Sequence, residues 1–176
     1  MIQKILRSSD PRLRLTSKPV AGIDKKILSI IKDLKDTLAI QKDPEGVGLA
    51  APQIGKNLRI FVANFKNFKR VVINPEILSL TKPAKSKKRK AKNKIMEGCL
   101  SLPHYYGPLA RAQKIKVKYI NENNEEIVEE FEGFQAQIVL HEIDHLNGIL
   151  FVDRIIEQGK KLYKLVNNEW EEVELV

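Results

Sequence analysis

The spacing of apolar residues predicts two helices in this chain of 176 residues. In the segment 25–40, KKILSIIKDLKDTLAI, apolar side chains recur at helical period and form one broad stripe. We therefore predict an amphipathic helix there, with Asp24 as its N-cap. Residues 134–146 form the second predicted helix, which ends at the stop signal Asn147-Gly148.

Alternating and β-branched runs predict strands elsewhere. The predicted strands lie at 58–63, 71–74, 114–120 and 126–128. The segment 160–176 is also strand-like, with two short strands about Asn167-Asn168 and Trp170 as an apolar anchor. Helices and strands are segregated more than alternated, so we predict an α+β fold with antiparallel sheets.

Length and composition predict a single domain over residues 1–176. The sequence contains no internal repeat, no domain linker and no apolar run long enough to cross a bilayer. The first twenty residues lack the apolar segment of a secretory signal. With one Cys, a disulfide within the chain is impossible, which fits a reducing compartment. We therefore expect a cytoplasmic protein with no membrane partner.

The positive charge of the chain is concentrated in one segment. Residues 82–94, KPAKSKKRKAKNK, hold eight basic residues and no acid, and removing these eight from the net charge of +9 leaves +1. Such a run repels itself, so we predict a solvated insertion loop. A contact of this loop with RNA or another polyanion is the alternative.

The second predicted helix contains the pattern H-E-x-x-H, from His141 to His145. Residues four apart share a helix face, so both imidazoles can bind one metal ion and Glu142 can address a water on that ion. Two unrelated histidines on a surface helix are the alternative. The apolar flanks favour metal binding, because a buried helix has little reason to hold these groups unless they are occupied.

A catalytic site of this kind needs a third protein ligand. In an extended version of the pattern that ligand is a His, but Phe151 stands at its position, and the downstream glutamates are too close or lie in the strand-like tail. His104 and Cys99 remain, and a thiolate beside two imidazoles is an ordinary metal ligand. We therefore predict Cys99 as the third ligand, against the alternative of a small buried hydrophobe.

The segment 46–51, GVGLAA, formally matches a dinucleotide-binding fingerprint. That fingerprint requires a strand before it and a helix after it, and here the predicted order is reversed. We therefore expect the glycines to let the backbone come close to a ligand, with the Gln53 amide directed into the same space.

Three motifs together resemble those of the peptide deformylases: GVGLAAPQIG at 46–55, EGCLSLP at 97–103 and HEIDHLNG at 141–148. The resemblance starts near residue 10 and extends to about residue 153. It implies antiparallel sheets packed around a central helix that carries HExxH. It also implies hydrolysis of the formyl group from the N-terminal formylmethionine of nascent proteins, which releases formate.

The resemblance also implies a role for each matching residue. Cys99, His141 and His145 would bind one divalent ion, Fe²⁺ in the cell, although Zn²⁺, Ni²⁺ or Co²⁺ fit the same site. Metal-bound water would be the nucleophile, Glu142 the general acid and base, and Gln53 and the Leu100 N–H the donors to the oxyanion. The implied substrate-binding residues are Gly46, Val47, Gly48, Glu97, Gly98, Phe134 and Ile138.

The chain departs from the family pattern in several places. Tyr106 stands where many bacterial members have Arg, which leaves contacts to the distal peptide open, and Leu140 replaces a common Gln. The basic insertion is longer than usual, and one hypothesis is that residues 82–94 supply affinity for ribosomal RNA. We expect nascent formylmethionyl peptides as partners. We also expect the protein to be a monomer. A broader HExxH peptidase and a non-catalytic RNA- or ribosome-binding homologue are the alternatives.

Overall fold

The computed structural model describes residues 1–81 and 96–174, so the predicted insertion loop at 82–94 lies outside the described residues. The α-helices in these ranges are α1 (Lys25–Ala39), α2 (Gly133–Leu146) and α3 (Phe151–Glu157). The strands are β1 (Gly48–Ala50), β2 (Ile60–Phe65), β3 (Phe68–Leu80), β4 (Glu97–Cys99), β5 (Leu102–Gly107), β6 (Lys114–Ile120), β7 (Glu126–Glu132), β8 (Leu162–Val166) and β9 (Glu169–Val173).

The strands form two antiparallel sheets. One sheet has the order β1-β2-β3-β6-β7 and the other has the order β4-β5-β8-β9. All neighbouring strands pair antiparallel, which confirms the prediction of helices combined with antiparallel sheets. In this order, β1 and β4 are each an edge strand of their sheet.

The predicted strand at 71–74 was too short, because β3 continues to Leu80. Asn74, which has φ of 52°, and Pro75 would ordinarily interrupt a strand. A shift in the pairing with β6 between Ile73 and Glu76 accommodates them instead. The predicted strands at 58–63 and 126–128 correspond to β2 and β7, with displaced ends.

Several short elements escaped prediction, namely β1, β4, β5 and α3. The three-residue strands β1 and β4 and the two-turn helix α3 are too short to carry a periodic signal, and the six residues of β5, LPHYYG, do not alternate between apolar and polar. Helix α3 begins where the Asp153 carboxylate accepts a hydrogen bond from the Leu150 N–H at 2.7 Å. Among the described residues, no helix is both long enough and apolar enough to cross a membrane.

Helix α1 covers one side of the five-stranded sheet. Asp24 caps it by accepting a hydrogen bond from the Ile27 N–H at 2.8 Å. Its apolar stripe packs on residues of β1 and β2 and of the 3₁₀ helix 51–54. The buried apolar side chains of this stripe are Ile27, Ile30, Ile31, Leu34 and Leu38. This packing joins α1 to the edge of the sheet where β1 lies.

Helix α2 contacts β1, β2, β6 and β7, and every residue from His141 to Leu146 is buried. Ala136, Val139 and Ile143 belong to the main apolar core, together with residues such as Phe61 and Phe131. Four charged or polar side chains of the same helix, those of His141, Glu142, Asp144 and His145, are also buried. Each of them therefore needs a partner inside the protein.

Gly148 follows the end of α2 in a left-handed backbone conformation that favours glycine. Its φ is 73°, and a Cβ atom there would lie 2.7 Å from the Arg14 carbonyl carbon. The N-terminal segment packs beneath the helix end, where the Ser17 N–H donates to the Leu146 carbonyl at 2.8 Å. Gly148 thereby fixes the C-terminal end of the helix that carries both histidines.

Replacing Gly148 by Ala should lower the free energy of unfolding by about 3 kcal/mol, because conformational strain and a backbone clash add together. Gly159→Ala is a matched control with positive φ, 58°, and nothing within 4 Å of the added Cβ, so it should cost only about 1 kcal/mol. Gly22→Ala has neither problem and should change stability by less than about 0.5 kcal/mol. Urea unfolding measures all three, and equal losses would contradict the clash.

Candidate metal centre

Two elements bring three potential metal ligands together in the interior. Cys99 ends β4, whereas His141 and His145 lie one turn apart on α2. Their ligand atoms all lie within 4.8 Å of one another, and Cys99 Sγ is 3.2 Å from His145 Nε2. The structure therefore brings together the three residues predicted from the sequence.

The geometry of these atoms fits a single ion. A tetrahedral ion with metal–nitrogen and metal–sulfur bonds of about 2.0–2.3 Å places its ligand atoms roughly 3.5 Å apart. A thiolate with two imidazoles suits divalent ions of intermediate softness, such as zinc or ferrous iron. With three protein ligands, a fourth position stays open for water or substrate.

The electrostatics of the trio also favour a cation. Burial disfavours the thiolate, but the imidazoles of His145 and His141 outweigh it and hold the pKa of Cys99 well below its ordinary value. Burial likewise disfavours an imidazolium, but Cys99 and Glu97 outweigh it and raise the pKa of His141. Without an ion, a proton thus compensates the thiolate, and metal binding displaces that proton.

A chain of buried charges supports His141 from behind. Glu97 Oε1 accepts from His141 Nδ1 at 2.7 Å, and Arg111 donates to both Glu97 oxygens at 2.6 and 3.0 Å. Arg111 also donates to Asp144 at 2.7 Å, and Arg154 on α3 donates to the same carboxylate at 2.7 and 3.1 Å. These linked charged groups hold the His141 ring by its Nδ1 atom and leave Nε2 available for a metal.

The ionisation state of Glu97 makes this support effective. Burial would raise the pKa of Glu97, but hydrogen bonds from His141 and Arg111 lower it to about 2. A carboxylate that is always charged can only accept, so His141 carries its proton on Nδ1. Sequence reasoning missed Arg111, because no motif or periodicity marks it.

Glu142 lies against the backbone of β1. A Cβ atom at Gly48 would lie 2.9 Å from Glu142 Cδ, so only glycine leaves room for this carboxylate. Burial raises the pKa of Glu142 to about 7. Its Oε2 atom is buried and has no hydrogen-bond partner among the described residues. Glu142 can therefore gain or lose a proton near neutral pH.

Gln53 is held with its amide group directed at Cys99. It lies in the 3₁₀ helix 51–54, and its Oε1 accepts from the Ala50 N–H at 2.8 Å. Its Nε2 is 3.1 Å from Ser101 Oγ and 3.6 Å from Cys99 Sγ. The acceptor end of the amide is thus fixed, and the donor end faces the metal ligands.

One pocket of about 320 Å³ joins these groups. Of the residues predicted from the sequence, only His145 does not line it. The predicted residues in its lining are Gly46, Val47, Gly48, Gln53, Glu97, Gly98, Cys99, Leu100, Phe134, Ile138, His141 and Glu142. Phe65 and Gln137 also line it and were missed, and the Phe65 ring packs edge-on against Phe134 at 4.8 Å.

Replacing Glu97 by Gln should weaken zinc binding about 10- to 100-fold, because the ring of His141 loses its charged acceptor. Competition against a chromophoric chelator measures the affinity, and circular dichroism checks folding. Glu129→Gln is the matched control, because Glu129 accepts from Arg70 at 2.7 Å on β7, outside the metal site. Equal zinc affinities for wild type and Glu97→Gln would contradict the support role.

The sequence and the structure are both similar to those of known proteins. The sequence profile of the family described as polypeptide deformylase matches residues 2–161. A peptide deformylase from Pseudothermotoga lettingae is 43% identical, covering 88% of this chain and 84% of the relative. One from Halothermothrix orenii is 40% identical, covering 92% and 98%. The crystal structure of peptide deformylase from Thermotoga maritima is 40% identical, with a TM-score of 0.76 and coverage of 88% and 97%. The chain therefore belongs to the polypeptide deformylase family.

Proposed function

We propose that the protein removes the formyl group from the N-terminal formylmethionine of nascent proteins and releases formate. The observation that carries this proposal is the position of Glu142, a buried carboxylate with a pKa of about 7, beside the ligand trio. The family of the chain and the names of its relatives supply the substrate class.

Cys99, His141 and His145 would hold one divalent ion. When bound, such an ion polarises the formyl carbonyl and lowers the pKa of a water molecule. Ferrous iron as the ion used in the cell stays a prediction, because this donor set also accepts zinc, nickel or cobalt. Metal analysis of protein purified without oxygen tests it.

Glu142 moves the proton during hydrolysis. Water adds to the formyl carbon, and Glu142 accepts the proton that this water releases. The carbon–nitrogen bond then breaks, and Glu142 delivers the proton to the departing methionine nitrogen. A group whose pKa is near 7 can perform both transfers, because neither of its protonation states is strongly favoured.

Gln53 and Leu100 would stabilise the charge that develops on the formyl oxygen. The Gln53 amide already points toward Cys99, at 3.6 Å from Nε2 to Sγ, and the Leu100 backbone directly follows that residue. Donors that are fixed before the reaction stabilise a developing oxyanion with little reorganisation.

We propose that the substrate lies extended between the outer strands β1 and β4. An extended peptide can pair with a free strand edge through its backbone, as in β-augmentation. The backbone of residues 46–48 lines one side of the pocket, and Gly98 lines the other. The methionine side chain would enter the apolar end formed by Phe65, Phe134 and Ile138.

Glu97 receives a different role from the substrate contact implied by the resemblance. Both of its oxygens are occupied by Arg111, and one also accepts from His141. We therefore assign Glu97 to positioning His141, which leaves substrate contact on β4 to the backbone of Gly98.

Several wider features belong to the same proposal. We propose α2 as the central helix, which its contacts with β1, β2, β6 and β7 support, and the amphipathic α1 as an outer layer. We also propose one domain over residues 1–176, with 160–176 as its strand-like end, acting as a monomer in the cytoplasm. Gel filtration with light scattering tests the monomer.

Replacing Glu142 by Ala should lower the rate of formate release at least 100-fold, because no other group replaces the proton transfer. Metal content should stay near one ion per chain, since the ligand trio is intact. Formyl-Met-Ala-Ser is the substrate, and formate dehydrogenase measures the product. Glu126→Gln, an exposed acid on β7, is the control. Full activity of Glu142→Ala would contradict the mechanism, and cleavage of internal amides would instead indicate a broader peptidase.

Ribosome contact through the Lys-rich residues 82–94 stays a prediction on residues outside the described ranges. Deleting 82–94 should weaken ribosome binding and reduce its dependence on salt, because phosphate contacts release counterions. Co-sedimentation with ribosomes across a salt series measures both. Unchanged binding after the deletion would contradict the contact.

A further inference from the structure

Residues 6–8 connect the two parts of the chain that carry Gln53 and Cys99. The Leu6 N–H donates to the Gln53 carbonyl at 2.8 Å, and the Ser8 N–H donates to the Ser101 carbonyl at 2.8 Å. Gln53 lies in the 3₁₀ helix that follows β1 of the five-stranded sheet, whereas Ser101 lies in the turn between β4 and β5 of the four-stranded sheet. Residues 6–8 therefore link the two sheets beside the metal ligands, and we call them the brace.

The brace limits the distance between the two carbonyls that it binds. Its donor N–H groups are two residues apart, and two residues of fully extended chain span at most about 7 Å. Gln53 and Ser101 are both buried, so loss of either bond would leave the carbonyl of a buried residue with one donor fewer. The backbones of Gln53 and Ser101 therefore cannot separate without a cost in free energy.

Other contacts hold the brace on both sides. Before it, the Gln3 N–H donates to Thr37 Oγ1 on α1 at 2.9 Å. After it, Leu13 is fully buried, and the Ser17 N–H bonds to the carbonyl at the end of α2. These contacts do not involve Gln53 or Ser101. The brace can therefore set the positions of those two residues.

Ser101 connects the brace to the side chain of Gln53. Its Oγ lies 3.1 Å from Gln53 Nε2, while the Ala50 N–H holds the other end of the amide. A primary amide has two N–H hydrogens. One donates to Ser101 Oγ, and the other faces Cys99 Sγ, which lies 3.6 Å from Nε2. Ser101 thus occupies one hydrogen of the amide and directs the other toward the metal ligands.

We propose that Ser8 and Ser101 are positioning residues for the oxyanion donor: the brace holds Ser101, and Ser101 aims the Gln53 amide. This inference rests on the proposed function, in which Gln53 donates to the formyl oxygen. A donor stabilises an oxyanion only at about 3 Å, and a displacement of about 1 Å can lower a rate about 100-fold. The formyl oxygen gains its charge during the reaction, so a misplaced donor lowers kcat and leaves KM nearly unchanged.

Double-mutant kinetics test the role of Ser101. Ser101→Ala should lower kcat for formyl-Met-Ala-Ser about 10-fold and change KM less than about 2-fold. In a Gln53→Ala background, the same substitution should lower kcat less than about 2-fold, because the amide that Ser101 aims is absent. Circular dichroism and zinc analysis check that each variant is folded and loaded.

An ester in place of one backbone amide tests the brace, because it removes a single N–H donor and keeps every side chain. An ester that replaces the Ser8 N–H should lower kcat about 3- to 10-fold with KM unchanged. The same ester at Ser9 is the matched control, since Ser9 is the next residue, is also a serine and is exposed. It should change kcat less than about 2-fold.

The visible spectrum of the protein loaded with Co²⁺ gives a readout that does not depend on turnover. Hydrogen bonds around a ligand sulfur tune the electronic properties of the metal, so the thiolate-to-cobalt charge-transfer band reports on the Gln53 amide. The band should shift in Ser101→Ala and in the Ser8 ester, in the same direction as in Gln53→Ala. It should keep its wild-type position in the Ser9 ester.

The outcomes separate the two proposals. No formate from the wild-type protein would overturn the proposed function, and this inference with it. With an active wild type, the role of Ser101 is overturned by an unchanged kcat, by loss of the metal, by an unmoved cobalt band, or by an equal loss of kcat in the Gln53→Ala background. An unchanged kcat in the Ser8 ester, or equal losses in both esters, would overturn the brace. A fall in kcat that depends on Gln53 and accompanies a shifted band supports the proposal.

Discussion

The burial of charge around α2 is the constraint on which the rest of this structure depends. A helix with His141, Glu142, Asp144 and His145 all removed from water would be unstable without compensation. Arg111 meets part of that need, because it bridges Asp144 and Glu97, the carboxylate that holds His141, and Arg154 completes the pairing of Asp144. Salt bridges, and not apolar contacts alone, thereby link β4, α2 and α3.

The same burial gives two neighbouring carboxylates opposite properties. Glu97 has donors on both oxygens and a pKa of about 2, whereas one oxygen of Glu142 has no partner among the described residues and its pKa is about 7. A group that stays charged can hold a histidine, and a group that titrates near neutral pH can carry a proton. Pairs of acids whose environments push their pKa values apart are a recurring basis for dividing such roles.

The sequence predicts those parts of this arrangement that depend on a local pattern of residues. The apolar stripe of α1 and the spacing of His141 and His145 are local patterns, so they are visible before folding. The pairing of β4 with β5 is not, because three residues carry no period, and Arg111 has no motif around it. Glu97 shows a subtler limit: its motif indicates a site, but only its contacts with His141 and Arg111 indicate its task.

Gly48 has a consequence for how widely the site can be used. Glu142 occupies the space that a side chain at position 48 would need. This side of the pocket therefore presents bare main chain to a ligand. Main-chain groups bind the repeating amide of any peptide, whatever the side chains of that peptide are. A surface of this kind suits a catalyst that must process most products of translation, since it leaves selectivity to the formylated end and to the few side chains at the pocket's margins.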